Sequence, residues 1–247
     1  MNKISNLFHH FPANVVLSSD LLSEKGYSPQ LMQKYVSSGW VKRVGDGAYR
    51  RSHEKVLFQG ALWPLQQKHY LIVCGKSALE LQGHEHYLTF GKRVIQLSYT
   101  PNYTPPKWLK SYDFDVQFQF IRSTEQPNDL INNVMIENIS VKVSCLELAA
   151  LEACQAIPKI NTFDAIASIF EGLTTLRMDV VQNLLQTYHS IKAKRLFLYF
   201  ATQSDHTWLK KLNLNGIDLG SGKRQIIKGG RLDKTYLITV PQSNKQG

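Results

Sequence analysis

Cysteine is scarce: Cys74, Cys145 and Cys154 are the only three in 247 residues. An odd number excludes a simple disulfide framework, and none has a second cysteine at the short spacing of a zinc pair or a redox motif, so reduced, buried thiols are expected. Long apolar runs are also missing. No stretch approaches ~18 consecutive apolar residues, which argues against a spanning helix. Residues 1–12 carry one lysine and a broken apolar run, unlike a secretory signal, so a cytoplasmic protein is expected. Repeats and low-complexity tracts are absent, and with 43% hydrophobic and 19% charged residues the composition excludes a charge-rich disordered chain.

Acidic residues are what the two ends lack. Residues 1–51 hold seven basic and three acidic side chains and residues 190–247 hold eleven and three, whereas residues 52–189 hold eleven and thirteen. A net charge of +10 concentrated in this way suits a polyanion partner, because each cation that neutralises a phosphate releases condensed counterions. A chain this long buries roughly three quarters of its unfolded surface, and two folded units are expected.

The first fifty residues carry the strongest local signals. Ser18-Ser19-Asp20 can cap a short helix that ends at Gly26, and Ser28-Pro29 then opens a second one, with proline at the first helical position where its missing N–H costs nothing. Leu31, Met32, Tyr35 and Val36 form one apolar stripe there, leaving Gln30, Gln33, Lys34 and Ser37 outward. Gly39 stops that helix. Residues 40–44 and 48–51 read as two strands about the Asp46-Gly47 turn, with Trp40, Val44 and Tyr49 packing inward and Lys42, Arg43, Arg50 and Arg51 flanking the turn. Two short helices followed by a basic hairpin form the layout of a winged helix-turn-helix. Its candidate DNA ligands are Ser28, Gln30, Gln33, Lys34, Ser37, Lys42, Arg43, Arg50 and Arg51. Glutamine can pair bidentately with adenine, and the cations can reach phosphates or a minor groove.

Beyond residue 53 helical periodicity is expected over 61–70, 77–82, 146–154, 163–173, 177–189 and 191–202. Strands are expected over 71–74, 94–99, 113–120 and 134–143, with Pro101, Pro105 and Pro106 marking a loop. Ser144 and Glu147 have capping-box spacing. Gln225-Ile226-Ile227 is expected to pair with residues 236–240 in a terminal hairpin. Lys192, Lys194 and Arg195 open a helix whose dipole they oppose, and with Lys223, Arg224, Lys228 and Arg231 they are read as a C-terminal basic surface whose glycine amides and cations can hold a phosphate backbone. The fold class expected is α+β: a winged helix-turn-helix over residues 1–53, then a larger mixed α/β domain over 54–247, divisible near 143/144 into strand-rich and helix-rich parts.

Three enzyme-like patterns fall short. Gly75-Lys76-Ser77 follows a strand, but the glycine a phosphate loop needs upstream is replaced by Tyr70. His84 and His86 lack a third ligand of suitable spacing. Asp113 and Asp115 have the spacing of a nucleotidyl-transferase metal pair without the upstream Gly-Ser loop. No catalytic residue, metal or cofactor is expected.

The chain resembles the AbiEi family of antitoxins and transcriptional regulators of type IV toxin–antitoxin, or abortive-infection, operons. The resemblance is carried by residues 26–51, by Gly75-Lys-Ser-Ala-Leu-Glu-Leu-Gln-Gly83 with His86-Tyr87, by Lys194-Arg-Leu-Phe197, and by Gly222-Lys-Arg224 with Lys228-Gly-Gly-Arg-Leu-Asp233. It implies an autorepressor that binds inverted repeats of double-stranded DNA in its own promoter. It also implies a C-terminal domain sufficient for antitoxicity, a nucleotidyltransferase-like toxin opposed without a stable complex, no membrane, and a monomer in solution or two protomers on DNA. Two alternatives stand beside this reading: an antitoxin that grips its toxin through the basic C-terminal domain, and a metal-dependent nucleic-acid enzyme with an appended DNA-binding domain.

Overall fold

A computed structural model describes residues 3–85, 91–123 and 128–242. The chain forms two compact units, residues 1–73 with 89–143 and residues 74–88 with 144–247. The winged segment therefore shares a unit with a large sheet, and the second unit resumes at 144.

The first unit opens with α1 (Lys3–His10), β1 (Leu17–Ser18), α2 (Ser19–Glu24), α3 (Pro29–Ser37), β2 (Val41–Gly45) and β3 (Ala48–Arg51). The Ser28 hydroxyl accepts the Leu31 N–H at 3.2 Å, capping α3 ahead of Pro29. Between the helices Gly26 takes a left-handed φ of 78°, and the Tyr27 N–H returns to the Leu22 carbonyl. The strands order β1-β3-β2, antiparallel, with Leu17 opposite Tyr49 and Val41 opposite Arg51. Leu7, Val15, Leu17, Leu22, Met32, Val41 and Tyr49 fill the core beneath them. Val44 and Tyr49 are buried as expected, but Trp40 is 51% exposed, its ring 6.5 Å from that of Phe8.

The same unit continues through α4 (Phe58–Gln66) and β4 (Leu71–Val73). After α5 (Gly75–Leu81), which belongs to the other unit, come β5 (Arg93–Tyr99), α6 (Lys107–Ser111), β6 (Val116–Arg122), β7 (Ile131–Ile136) and β8 (Ile139–Ser144). These strands form one mixed sheet ordered β6-β5-β4-β8-β7, with β4 antiparallel to β5 and parallel to β8, and β5 parallel to β6. Glu137 and Asn138 both take positive φ, the backbone of the two-residue turn that closes a twisted hairpin. The sheet starts β6 at Val116, later than expected: Asp113 and Asp115 lie before it, Asp115 with φ 68°, so they do not share a strand face.

The second unit is mainly helical: α5, α7 (Leu146–Gln155), α8 (Phe163–Glu171), α9 (Met178–Thr187) and α10 (Ile191–Gln203), followed by the short strands β9 (Arg231–Asp233) and β10 (Ile238–Val240). α5 and α10 both pack on α7, where Ala149, Ala150 and Ala153 are fully buried and let neighbouring helices approach closely. Phe170, Phe197 and Phe200 pack ring to ring at 5.2–5.3 Å in the core.

Two local expectations are corrected here. The capping box is not made: Cys145 is the N-cap with no side-chain cap bond, and the Glu147 carboxylate turns to Arg177 instead. In the terminal hairpin β10 pairs with β9, not with Gln225-Ile226-Ile227; the amides of Ile226 and Ile227 bond the Thr239 hydroxyl at 2.8 and 3.1 Å. A threonine side chain there takes the bonds that a ladder partner would have made.

Candidate nucleic-acid interface

α3 carries Gln30, Gln33, Lys34 and Ser37 on its exposed side, with Ser28 exposed at its start, and β2 carries the exposed Lys42 and Arg43. The helix and the wing are joined by their side chains. Arg43 Nη2 donates to Gln33 Oε1 at 2.6 Å, and the guanidinium lies 5.4 Å from the centre of the buried Tyr49 ring. The Ser37 hydroxyl donates back to the Gln33 carbonyl. The arrangement fixes which way the Gln33 amide points, oxygen toward Arg43, and presents N–H donors and cations on one surface. Such donors suit phosphate oxygens and the acceptor-rich edges of bases.

Arg50 and Arg51 depart from the expected role. Arg50 Nη1 donates to the carbonyls of Arg51, Ser52 and Glu54 and so closes the turn after β3. Arg51 Nη2 donates to the carbonyls of Phe8 and Phe11 at 2.8 Å each, its Nη1 meets Glu54 at 2.8 Å, and its guanidinium lies 4.7 Å from the centre of the Phe8 ring. It therefore caps the C-terminal end of α1, where cations match the helix dipole. Arg51→Ala is expected to lower stability by about 1–3 kcal/mol, the range for a charge-assisted bond lost beside buried acceptors, and to leave the salt dependence of DNA binding unchanged. A urea melt beside a two-salt binding titration checks both; a reduced salt slope at wild-type stability would return Arg51 to the phosphate ligands.

Three of the seven cations read as a C-terminal surface point inward. Lys192 Nζ donates to the carbonyls of Gln155 and Ile157 at the end of α7, and burial depresses its pKa. Lys194 and Arg195 are 3% and 1% exposed. Their place on α10 beside Leu196, Phe197 and Leu198 buries them with the apolar stripe. Lys223, Arg224, Lys228 and Arg231 are exposed.

The enzyme-like patterns resolve into structural contacts. The Gly75 N–H donates to Glu152 Oε2 at 2.9 Å, so a carboxylate sits where a phosphate loop would need an anion of the substrate, and Lys76 pairs with Glu80. Asp113 accepts from Lys92 and from the Asp115 N–H, and that lysine bond, then the backbone bond, hold its carboxyl below the usual range. Burial lowers the His84 pKa, against a bond with the Gly172 backbone. His86 lies outside the described residues. Among the described residues no group of three or more His, Cys, Asp or Glu side chains is placed to hold a metal ion. Nor is any helix among them long and apolar enough to cross a membrane.

Two family models match the chain, one on either side of residue 91, a boundary that differs from that between the two compact units. A family model described as "Transcriptional regulator, AbiEi antitoxin N-terminal domain" matches residues 1–90, and one described as "Transcriptional regulator, AbiEi antitoxin, Type IV TA system" matches residues 92–241. No curated protein matches the chain. Among solved structures the fold is similar to the RV2827C protein from Mycobacterium tuberculosis, with a TM-score of 0.64 at 14% identity over 96% of this chain and 89% of that one. At that identity the likeness speaks for the fold alone. The two family models together span the winged segment, the sheet and the helical unit, and the chain belongs to the AbiEi family, the transcriptional regulator antitoxins of type IV toxin–antitoxin systems.

Proposed function

We propose that this antitoxin represses its own operon by laying α3 in the major groove of inverted repeats, with the β2–β3 wing on the adjoining backbone. The observation that carries the reading is the Gln33–Arg43 bond, which ties an exposed helix face to the wing in one donor-bearing surface. Lys34 and Lys42 supply phosphate contacts, and Gln30 and Gln33 reach base edges. Two protomers on a two-fold operator would place their helices about one DNA turn apart, roughly 34 Å. Its action is read as non-enzymatic: the Asp113 carboxylate is engaged by Lys92 and the Asp115 N–H, that of Asp115 faces Lys55, and the His84 imidazole meets the Gly172 backbone. It opposes a nucleotidyltransferase-like toxin without a stable complex.

A mobility-shift titration on the protein's own promoter, beside shuffled DNA at two salt concentrations, tests the reading. Preference that survives the higher salt is expected; equal, salt-labile binding to both DNAs would reject it. Lys34→Ala is expected to reduce the slope of log K against log salt by about one unit while weakening all sequences alike. Gln33→Ala and Arg43→Ala are expected to be non-additive by about 0.5–3 kcal/mol on the operator, as residues that share one bond are. Strict additivity would mean that the two side chains act separately.

A further inference from the structure

Arg195 is the largest fully buried side chain, 1% exposed, and all its bonds go to backbone carbonyls. Nε donates to Leu219 at 2.6 Å, Nη1 to Gly222 at 2.7 Å and Leu237 at 3.2 Å, and Nη2 to Gly220 at 3.0 Å. No carboxylate is among these acceptors. The guanidinium is hydrogen-bonded to neutral groups alone; Asp218 offsets part of its charge and Arg224 adds to it, and in a low-dielectric surrounding the remainder is felt at the surface of the loop it holds.

The loop itself is oriented by this grip. In a planar trans peptide the C=O and the following N–H point in opposite directions. Drawing the carbonyls of Gly220 and Gly222 inward therefore turns the N–H groups of Ser221 and Lys223 outward. Gly220 and Gly222 take positive φ, 64° and 77°, on either side of Ser221, which does not; this alternation is the backbone form that makes an anion-binding concavity. The Gly220 N–H is held by Asp218 Oδ1 at 2.7 Å, and the Arg224 N–H by the Leu237 carbonyl at 2.8 Å, which pins both ends. Among the described residues the amides of Ser221 and Lys223 have no protein acceptor. The residues around them, Ser221 to Arg224, are exposed, and the side chains of Lys223 and Arg224 add two cations at the rim.

We infer that residues 219–224 form a built site for a single phosphate group in the second unit, with the outward amides of Ser221 and Lys223 and the side chains of Lys223 and Arg224 as ligands and Arg195 as the positioning residue. A phosphate would offer acceptor oxygens to each donor and place negative charge above the buried guanidinium. The site does not rest on the operator reading: its residues lie on other elements than α3 and the wing.

The test uses the full-length protein labelled with 15N. Inorganic phosphate is titrated at constant ionic strength made up with chloride. The amides of Ser221 and Lys223 are expected to shift saturably with phosphate and to stay still in chloride. Gly222→Ala keeps every charge, and its added Cβ meets nothing within 4 Å, but it forces an L side chain to φ 77°. This variant is expected to weaken phosphate binding about five- to tenfold, the equivalent of roughly one hydrogen bond, with the rest of the spectrum unchanged. Arg195→Lys is expected to do the same if it folds, since one ammonium cannot span the same carbonyls. Shifts spread over all surface cations, shifts with chloride alone, or indifference to Gly222→Ala would overturn the site. A duplex carrying the operator then identifies the source. Movement of the same two amides assigns the site to the nucleic-acid backbone, and their silence beside a positive phosphate titration assigns it to a free or small-molecule phosphate.

Discussion

Arg177→Met is expected to destabilise the protein by about 3–5 kcal/mol, and Glu147→Leu by much less, although the two substitutions break the same ion pair. The asymmetry comes from burial. The Glu147 side chain is 4% exposed and that of Arg177 54%. Glu147 Oε1 accepts the Arg177 backbone N–H at 2.8 Å and its Nε at 3.1 Å, and Oε2 accepts Nη2 at 2.8 Å. Without the guanidinium a buried carboxylate keeps neutral donors alone, the backbone N–H groups of Arg177 and Glu147 and the Cys145 thiol. Without the carboxylate the arginine turns into water, and leucine leaves an apolar site. Denaturant melts of both variants at neutral pH read this order; equal losses would show that the pair acts through its Coulomb energy alone.

The pair also fixes how the loss depends on pH. Burial by itself would raise the Glu147 pKa, but the side-chain and backbone bonds from Arg177 overcome it and hold the carboxyl at about 2, below its ordinary 4.5. A folded-state pKa below the unfolded one gives stability that is fully present above pH 4.5 and lost as pH falls toward about 2. The gap between wild type and Arg177→Met should therefore close across that window. A gap that is constant down to its lower end would locate the contribution of Arg177 outside its contact with Glu147. The nearby Cys145 thiol, pushed up to about 11 chiefly by burial, stays protonated throughout and adds a smaller lowering of its own through its bond to Glu147.

What the sequence made legible were the features set by neighbours in the chain. Ser28-Pro29, the left-handed glycines 26 and 39, and the Asp46-Gly47 turn each dictate backbone geometry within a few residues, and α2, α3 and the wing follow them closely. The exposed face of α3 was legible for the same reason, through helical periodicity. Which cations face inward was not. Arg51 is held by carbonyls 40 and 43 residues away, and Arg195 by carbonyls 24 to 42 residues away. An arginine that caps another helix and one that meets a phosphate have the same local sequence; only the distant acceptors separate them. Periodicity marks Arg195 on an apolar helix, but it does not say that the loop 219–222 will arrive to cover it. The pairing of the large sheet was hidden likewise, because β5 and β6 are parallel and joined by α6, and alternation identifies strands without naming their partners.

Gly60→Ala is expected to be the most damaging single methyl in the first unit. A Cβ on Gly60 would stand 1.9 Å from the Asn14 carbonyl oxygen and 3.0 Å from Val56 Cγ1. The first obstacle is backbone, which cannot rotate away as a side-chain tip can. The segment cannot easily retreat either, since the Val16 N–H donates to the Gly60 carbonyl at 2.9 Å and β1 begins one residue later, pairing Leu17 with Tyr49. Overpacking against flexible neighbours costs about 1–3 kcal/mol, and a collision with fixed backbone belongs to the exceptional class, about 4 kcal/mol or more. Gly26→Ala is the control: its φ is 78°, but its Cβ meets nothing within 4 Å, and only the left-handed penalty of about 1–2 kcal/mol applies. Denaturant melts of the two variants separate close approach from backbone strain, and operator binding by the folded fraction shows what the contact does. Because residues 14–16 lead through β1 directly into α2, displacing them from α4 moves the strand against which the wing is aligned. Gly60→Ala is therefore expected to lose operator affinity even where it remains folded, and equal stability in the two variants would show that residues 14–16 give way without cost.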